Sequence, residues 1–179
     1  TRDFFEGRLG TEQIFATEDN LHSTFFLMLT TDSEPNYDPV TDQTEEYIRI
    51  AHLVLDPLAP VEISYNRFIR FAGNPGGLLL GGIPSDSGIN IARAQLKTEI
   101  TQAGLRQDRS RDGSIVHTTL MRDLTPVGKG RAEEIWDFVQ QRDHRVYWAG
   151  RLEKVNLQTG NYFQDPATVT VIEGFHLGT

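Results

Sequence analysis

The order strand, helix, hairpin occurs twice along these 179 residues, and that recurrence constrains the fold more than any other feature. The first round begins in "TEDNLHSTFFLML", where dense aromatic and branched residues after an acidic, Asn-containing turn predict a strand over about 20–30. A polar, Pro-containing loop follows. From Thr44 to Leu55 apolar residues fall at Tyr47, Ile48, Ala51 and Val54 or Leu55, a helical period that Pro57 ends. Residues 61–73 alternate like a strand, "NPGG" makes a tight turn, and "LLLGGIP" reads as a short buried strand. Residues 85–105 then predict a helix, with Ser85 or Asp86 as its cap and Gly104 as its stop. After the charged loop "RQDRSRDG" the order starts again: "SIVHTTLMR" as a strand, 130–142 as a helix, 145–157 as a strand and 167–175 as the last strand.

The expectation is an α+β fold in one domain over 1–179, built from two pseudo-symmetric lobes at about 18–105 and 113–176. Each lobe would pack helices on one face of an antiparallel sheet and leave the other face toward a central cleft. This length is enough to bury a real core.

Charge and composition then narrow the function classes. With 25 acidic against 17 basic residues the chain carries a formal charge of −8, which gives no footprint for long double-stranded nucleic acid but leaves room for a small nucleotide or short RNA. The absence of cysteine excludes disulfides, thiol catalysis and thiolate metal sites. Nothing approaches membrane-spanning length. The chain begins at Thr1 without a methionine, so a preceding segment or removed signal peptide stays open; the working expectation is a cytoplasmic monomer.

Within the two opening strands, alternation decides which residues are available for chemistry. In the first, His22, Thr24, Phe26 and Met28 share a face, and Leu21, Ser23, Phe25, Leu27 and Leu29 the other. In the second, Ile115, His117, Thr119 and Met121 oppose Val116, Thr118, Leu120 and Arg122. Each His-x-Thr pair therefore leaves the face that its helices cover. Either histidine alone reads as a strand-edge residue; two in matched positions point to a site.

Two histidines and two hydroxyls suit phosphodiester cleavage by general acid and base. One ring deprotonates the attacking oxygen and the other protonates the leaving one, and histidine's unperturbed pKa of about 6.5 permits both states near neutrality. Threonine hydroxyls can donate to the non-bridging oxygens. No metal or other cofactor is needed. A metal centre from His22 and His117 with Asp19 or Asp123 is the weaker chemistry, because no compact ligand spacing is present.

"HSTF" (22–25) and "HTTL" (117–120), each on a strand and half a chain apart, resemble the paired His-x-Thr-hydrophobic motifs of the 2H phosphoesterase superfamily, the LigT-like and cyclic-phosphodiesterase-like proteins. The order of elements over about 18–176 is similar to that family's bilobal fold. The resemblance implies a metal-independent phosphodiesterase acting on 2′,3′-cyclic phosphates or on short or cyclic oligonucleotides. It also implies that His22 and His117 are catalytic and that Thr24 and Thr119 bind phosphate. A nucleotide-binding protein without catalysis, or an RNA end-processing or 2′-5′ ligase enzyme, are the alternatives.

Substrate recognition is legible only by faces. Val61, Ile63, Ile69 and Phe71 suit the core, which sends Ser64, Asn66, Phe68 and Arg70 toward the cleft. In 145–157, Val146, Trp148 and Leu152 suit the core and leave Tyr147, Ala149 and Arg151 opposite. Phe68, Arg70, Tyr147 and Arg151 are thus the candidates for stacking a base and holding a phosphate. His52, His144 and His176 lack a matching threonine and read as surface or packing histidines, while "GNPGGLLLGG" lacks the context of a phosphate-cradling loop.

Overall fold

The computed structural model describes residues 13–15, 23–26, 43–70, 78–107, 116–123, 129–141, 146–159 and 169–178. Their elements are β1 (Gln13–Phe15), α1 (Thr44–Leu55), β2 (Val61–Arg70), β3 (Leu78–Pro84), α2 (Gly88–Gln102), β4 (Val116–Asp123), α3 (Lys129–Gln140), β5 (Trp148–Leu152), β6 (Lys154–Thr159) and β7 (Thr170–His176). The class is α+β. Five strands form one sheet in the order β1-β4-β3-β2-β5, and β6 pairs with β7 in a second. Both β1 and β3 run antiparallel to β4, as β6 does to β7.

The helices form where the period predicts them, and their ends have local causes. Glu45 and Glu46 lie in the first turn of α1, where a helix dipole favours negative charge. At the start of α2 the expected cap shifts by position: Ser87 stands at the N-cap without a side-chain bond, while the Asp86 carboxylate accepts the Gly88 N–H at 2.7 Å. At its end, Gly104 adopts φ 69°, a left-handed conformation open to glycine. Its N–H donates to the Thr101 carbonyl at 3.1 Å and the Leu105 N–H to the Ile100 carbonyl at 3.0 Å. These are the two bonds of a Schellman stop.

Sequence alternation misreads one segment. Residues 145–157 predict a single strand, whereas β5 and β6 are separate strands in different sheets, divided at Glu153. The Glu153 carbonyl accepts the Leu177 N–H at 2.9 Å as the chain changes partners. A period of two runs on unchanged through such a break, so it cannot report it.

The chain divides into two compact units, each drawn from three stretches. One comprises Thr1–Ser23, Ser64–Ile83 and Ile115–Ala149, and the other Thr24–Ile63, Pro84–Ser114 and Gly150–Thr179. A compact unit here is therefore not a contiguous half of the sequence, and the two lobes expected over 18–105 and 113–176 stand as a proposal. In the second unit α1, α2 and β7 enclose a core of Tyr47, Ile50, Ala51, Val54, Leu96, Ile100 and Phe175, with Phe25 and Phe26 packed against it. Burying each Ile, Leu, Val or Phe side chain of this set is worth about 1.5–3 kcal/mol. Among the described residues of the first unit the buried side chains include Tyr65, Leu78, Leu79, Leu80, Val116, Val139 and the polar Thr118. No described helix is long and apolar enough to cross a membrane.

Candidate functional site

β4 carries the second motif as alternation requires. Val116 and Thr118 are buried, at 5% and 1% exposure, while His117 and Thr119 on the opposite face are half-buried. Along β3 the facing residues are Leu79 for Thr119, Leu80 for Thr118 and Gly81 for His117.

Thr118 meets the first motif as well. Ser23 forms an isolated antiparallel bridge with it. Because Thr118 already faces Leu80 on one edge of β4, Ser23 must lie on the other edge. Ser23 and Thr118 are the middle residues of the two His-x-Thr triplets. His22 lies outside the described residues, as do most of the residues of the strand expected over 20–30.

Two residues that sequence reasoning missed hold Ser23 and Thr24. Ser23 Oγ and Tyr65 Oη share a hydrogen bond of 2.6 Å. Tyr65 is 3% exposed, its ring stacks on Trp148 at 4.7 Å and 21°, and its carbonyl accepts the Tyr147 N–H at 2.8 Å. Burial pushes the Tyr65 phenol up from its ordinary value, and the Ser23 bond only partly offsets this, so it acts as a neutral hydrogen-bonding group. Within the other unit, Arg93 on α2 donates from Nε to the Phe25 carbonyl at 2.6 Å and from Nη2 to the Thr24 carbonyl at 3.3 Å. Its guanidinium also sits 5.7 Å from the Phe25 ring centre. Burial lowers the Arg93 pKa, and its Nη1 is buried without a hydrogen-bond partner among the described residues. Val61, Ile63, Ile69 and Phe71 are the core residues expected of this strand, and Tyr65, although it shares their alternation, is not among them; nothing in the pattern marks the side chain that its hydroxyl meets.

The substrate candidates separate. The Phe68 and Tyr147 rings come together at 4.7 Å and 59°, and Tyr147 is 37% exposed. Arg70 ends β2, and its side chain lies outside the described set. Arg151 belongs to the other unit, where its exposed guanidinium lies 3.8 Å from Glu62 and 3.6 Å from Glu153. Val146 and Trp148, expected in the core, are instead 62% and 49% exposed. Val146 precedes the strand, and Trp148 opens the edge strand β5, where one ring face rests on Tyr65 and the rest meets water.

His52 behaves as a packing and surface histidine, 3.1 Å from the Asp56 carboxylate and edge-on to Phe175. Among the described residues no group of three or more His, Asp or Glu side chains could hold a metal ion.

No family model matches the sequence, and no curated protein matches it. Solved structures do. TT0787 of Thermus thermophilus superposes with a TM-score of 0.66 at 15% identity, covering 98% of this chain and 88% of that one. E. coli LigT complexed with 3′-AMP gives 0.60 at 13% identity, covering 99% of this chain and 89% of LigT. LigT complexed with phosphate gives 0.54 at 12% identity, covering 99% and 88%. At such identity the likeness speaks for the fold: the chain shares the architecture of TT0787 and LigT.

Proposed function

We propose that this protein is a metal-independent phosphodiesterase that acts on a 2′,3′-cyclic phosphate or on a short or cyclic oligonucleotide. His22 and His117 serve as acid and base, and Thr24 and Thr119 hold the non-bridging oxygens. The observation that carries this reading is the bridge between Ser23 and Thr118, which is what two His-x-Thr strands running side by side would show. The LigT complexes with 3′-AMP and phosphate are consistent with a small nucleotide substrate here.

For one substrate orientation His117 takes a proton from water, whose oxygen attacks phosphorus in line. The opposite P–O bond breaks, and His22 gives its proton to the departing ribose oxygen, leaving a phosphate monoester and a free hydroxyl. Exchanging the two histidines describes the reaction with the substrate reversed. Donation from the threonine hydroxyls stabilises charge that grows on the non-bridging oxygens in the transition state.

A mass-spectrometric screen of 2′,3′-cyclic nucleotides, cyclic dinucleotides and short oligonucleotides, run with and without chelator, tests the assignment. Ring opening or chain cleavage that persists in chelator, with a rate maximum near neutral pH, is the expected result. Binding of these compounds without turnover would replace the enzyme with a nucleotide-binding protein.

A further inference from the structure

Gly81 is the residue of β3 that faces His117, so their side-chain directions lie on one face of the sheet. The space beside Gly81 is already taken. A Cβ there would fall 2.6 Å from Ile69 Cδ1 and 3.2 Å from Arg67 Cγ, both from β2 on the far side of β3. A glycine inside a strand commonly marks such a close approach. The stem of Arg67 therefore reaches Gly81 on the His117 face, with its guanidinium still beyond Cγ.

That cation has no hydrogen bond or ion pair among the described residues, although the chain carries a net charge of −8. Three other arginines among the described residues are engaged. Arg49 pairs with Glu46, Arg151 approaches two carboxylates, and Arg93 serves main-chain carbonyls. Arg67 is exposed and ready for an anion.

Its location decides which anion. Ser23 lies on the edge of β4 away from β3, whereas Arg67 comes from two strands off on the β3 side, about 10 Å from His117 between backbones. The reacting phosphate belongs with the paired motifs; Arg67 suits the next phosphate along. We infer that Arg67 is a specificity-determining residue that binds a second phosphate flanking the scissile one, so that the preferred substrate is an oligonucleotide or cyclic dinucleotide rather than a lone cyclic mononucleotide. This rests on the phosphodiesterase reading above.

The test compares a nucleoside 2′,3′-cyclic phosphate with a dinucleotide ending in the same cyclic phosphate, which adds one internal phosphodiester. Wild type should favour the dinucleotide in kcat/KM. In Arg67→Gln that ratio should fall about tenfold or more, carried mainly by KM, and Arg67→Lys should restore part of it. An unchanged ratio, or an equal loss on both substrates, would overturn the inference while leaving the phosphodiesterase reading in place. If wild type opens neither ring, the enzymatic reading falls separately. Calorimetric binding of the same two compounds then decides the Arg67 site: a dinucleotide advantage lost in Arg67→Gln supports it, and equal binding refutes it.

Discussion

The two His-x-Thr segments look alike in sequence, and their described residues show different kinds of support. β4 is held by main-chain pairing, with β1 and Ser23 along one edge, β3 along the other, and Val116 and Thr118 buried beneath. Among the described residues, the segment Ser23–Phe26 shows one bridge together with side-chain support: the Tyr65 hydroxyl on Ser23, the Arg93 guanidinium on two carbonyls, and Phe25 and Phe26 against the apolar core. A ladder spreads its support over many bonds. A side-chain clamp concentrates it in a few, so single substitutions should loosen the first motif more readily than the second.

Arg93→Met should show this most strongly. It keeps an apolar stem but leaves the Thr24 and Phe25 carbonyls without their donor, which should cost about 2–3 kcal/mol in denaturant unfolding and lower turnover as well. An unfolding midpoint within error of wild type would show that the clamp carries no weight.

The corresponding probe of the ladder is Gly81→Ala, whose new methyl must displace Ile69 and the Arg67 stem. A cost of about 1–3 kcal/mol is expected. Its amide proton exchange should stay slow along β4 if the ladder, rather than side chains, supports His117.

Tyr65→Phe sharpens the comparison further, because the ring can stay stacked on Trp148 while the bond to Ser23 goes. The expected loss is about 1 kcal/mol, and a cycle with Ser23→Ala should be non-additive. The same variant has a pH signature. The Tyr65 phenol is raised in the folded state, so its contribution is fully present below the unfolded value of about 10 and is lost as pH rises through the higher folded value. Tyr65→Phe should remove that alkaline component from the stability profile. His52→Ala, an exposed histidine outside both motifs, should have the smallest effect, under about 1 kcal/mol, with activity retained.

Much of this was readable from residue order, for reasons the elements make plain. α1 has a sharp helical period and Pro57 beyond it, and Gly104 stops α2 through its positive φ, so local chemistry alone determines both. The alternation Val116, His117, Thr118, Thr119 assigns the faces of β4 without knowledge of its neighbours. Local pattern fails where a partner decides. It cannot show that β5 and β6 join different sheets, that Trp148 caps Tyr65 from an edge strand, or that Arg67, two strands from His117, leans over the glycine that faces it. The candidate site divides the same way: His117 and Thr119 are legible as a motif, while Tyr65 and Arg93 become visible only through the groups they hold.

The central claim is that two histidines, one on each motif, share the chemistry. The most direct measurement is the rate of opening of a nucleoside 2′,3′-cyclic phosphate in chelator by wild type, His22→Ala and His117→Ala, each confirmed folded by circular dichroism. The account predicts ring opening by wild type and a loss on the order of 10²–10⁴-fold in both variants; full activity in either variant would contradict it.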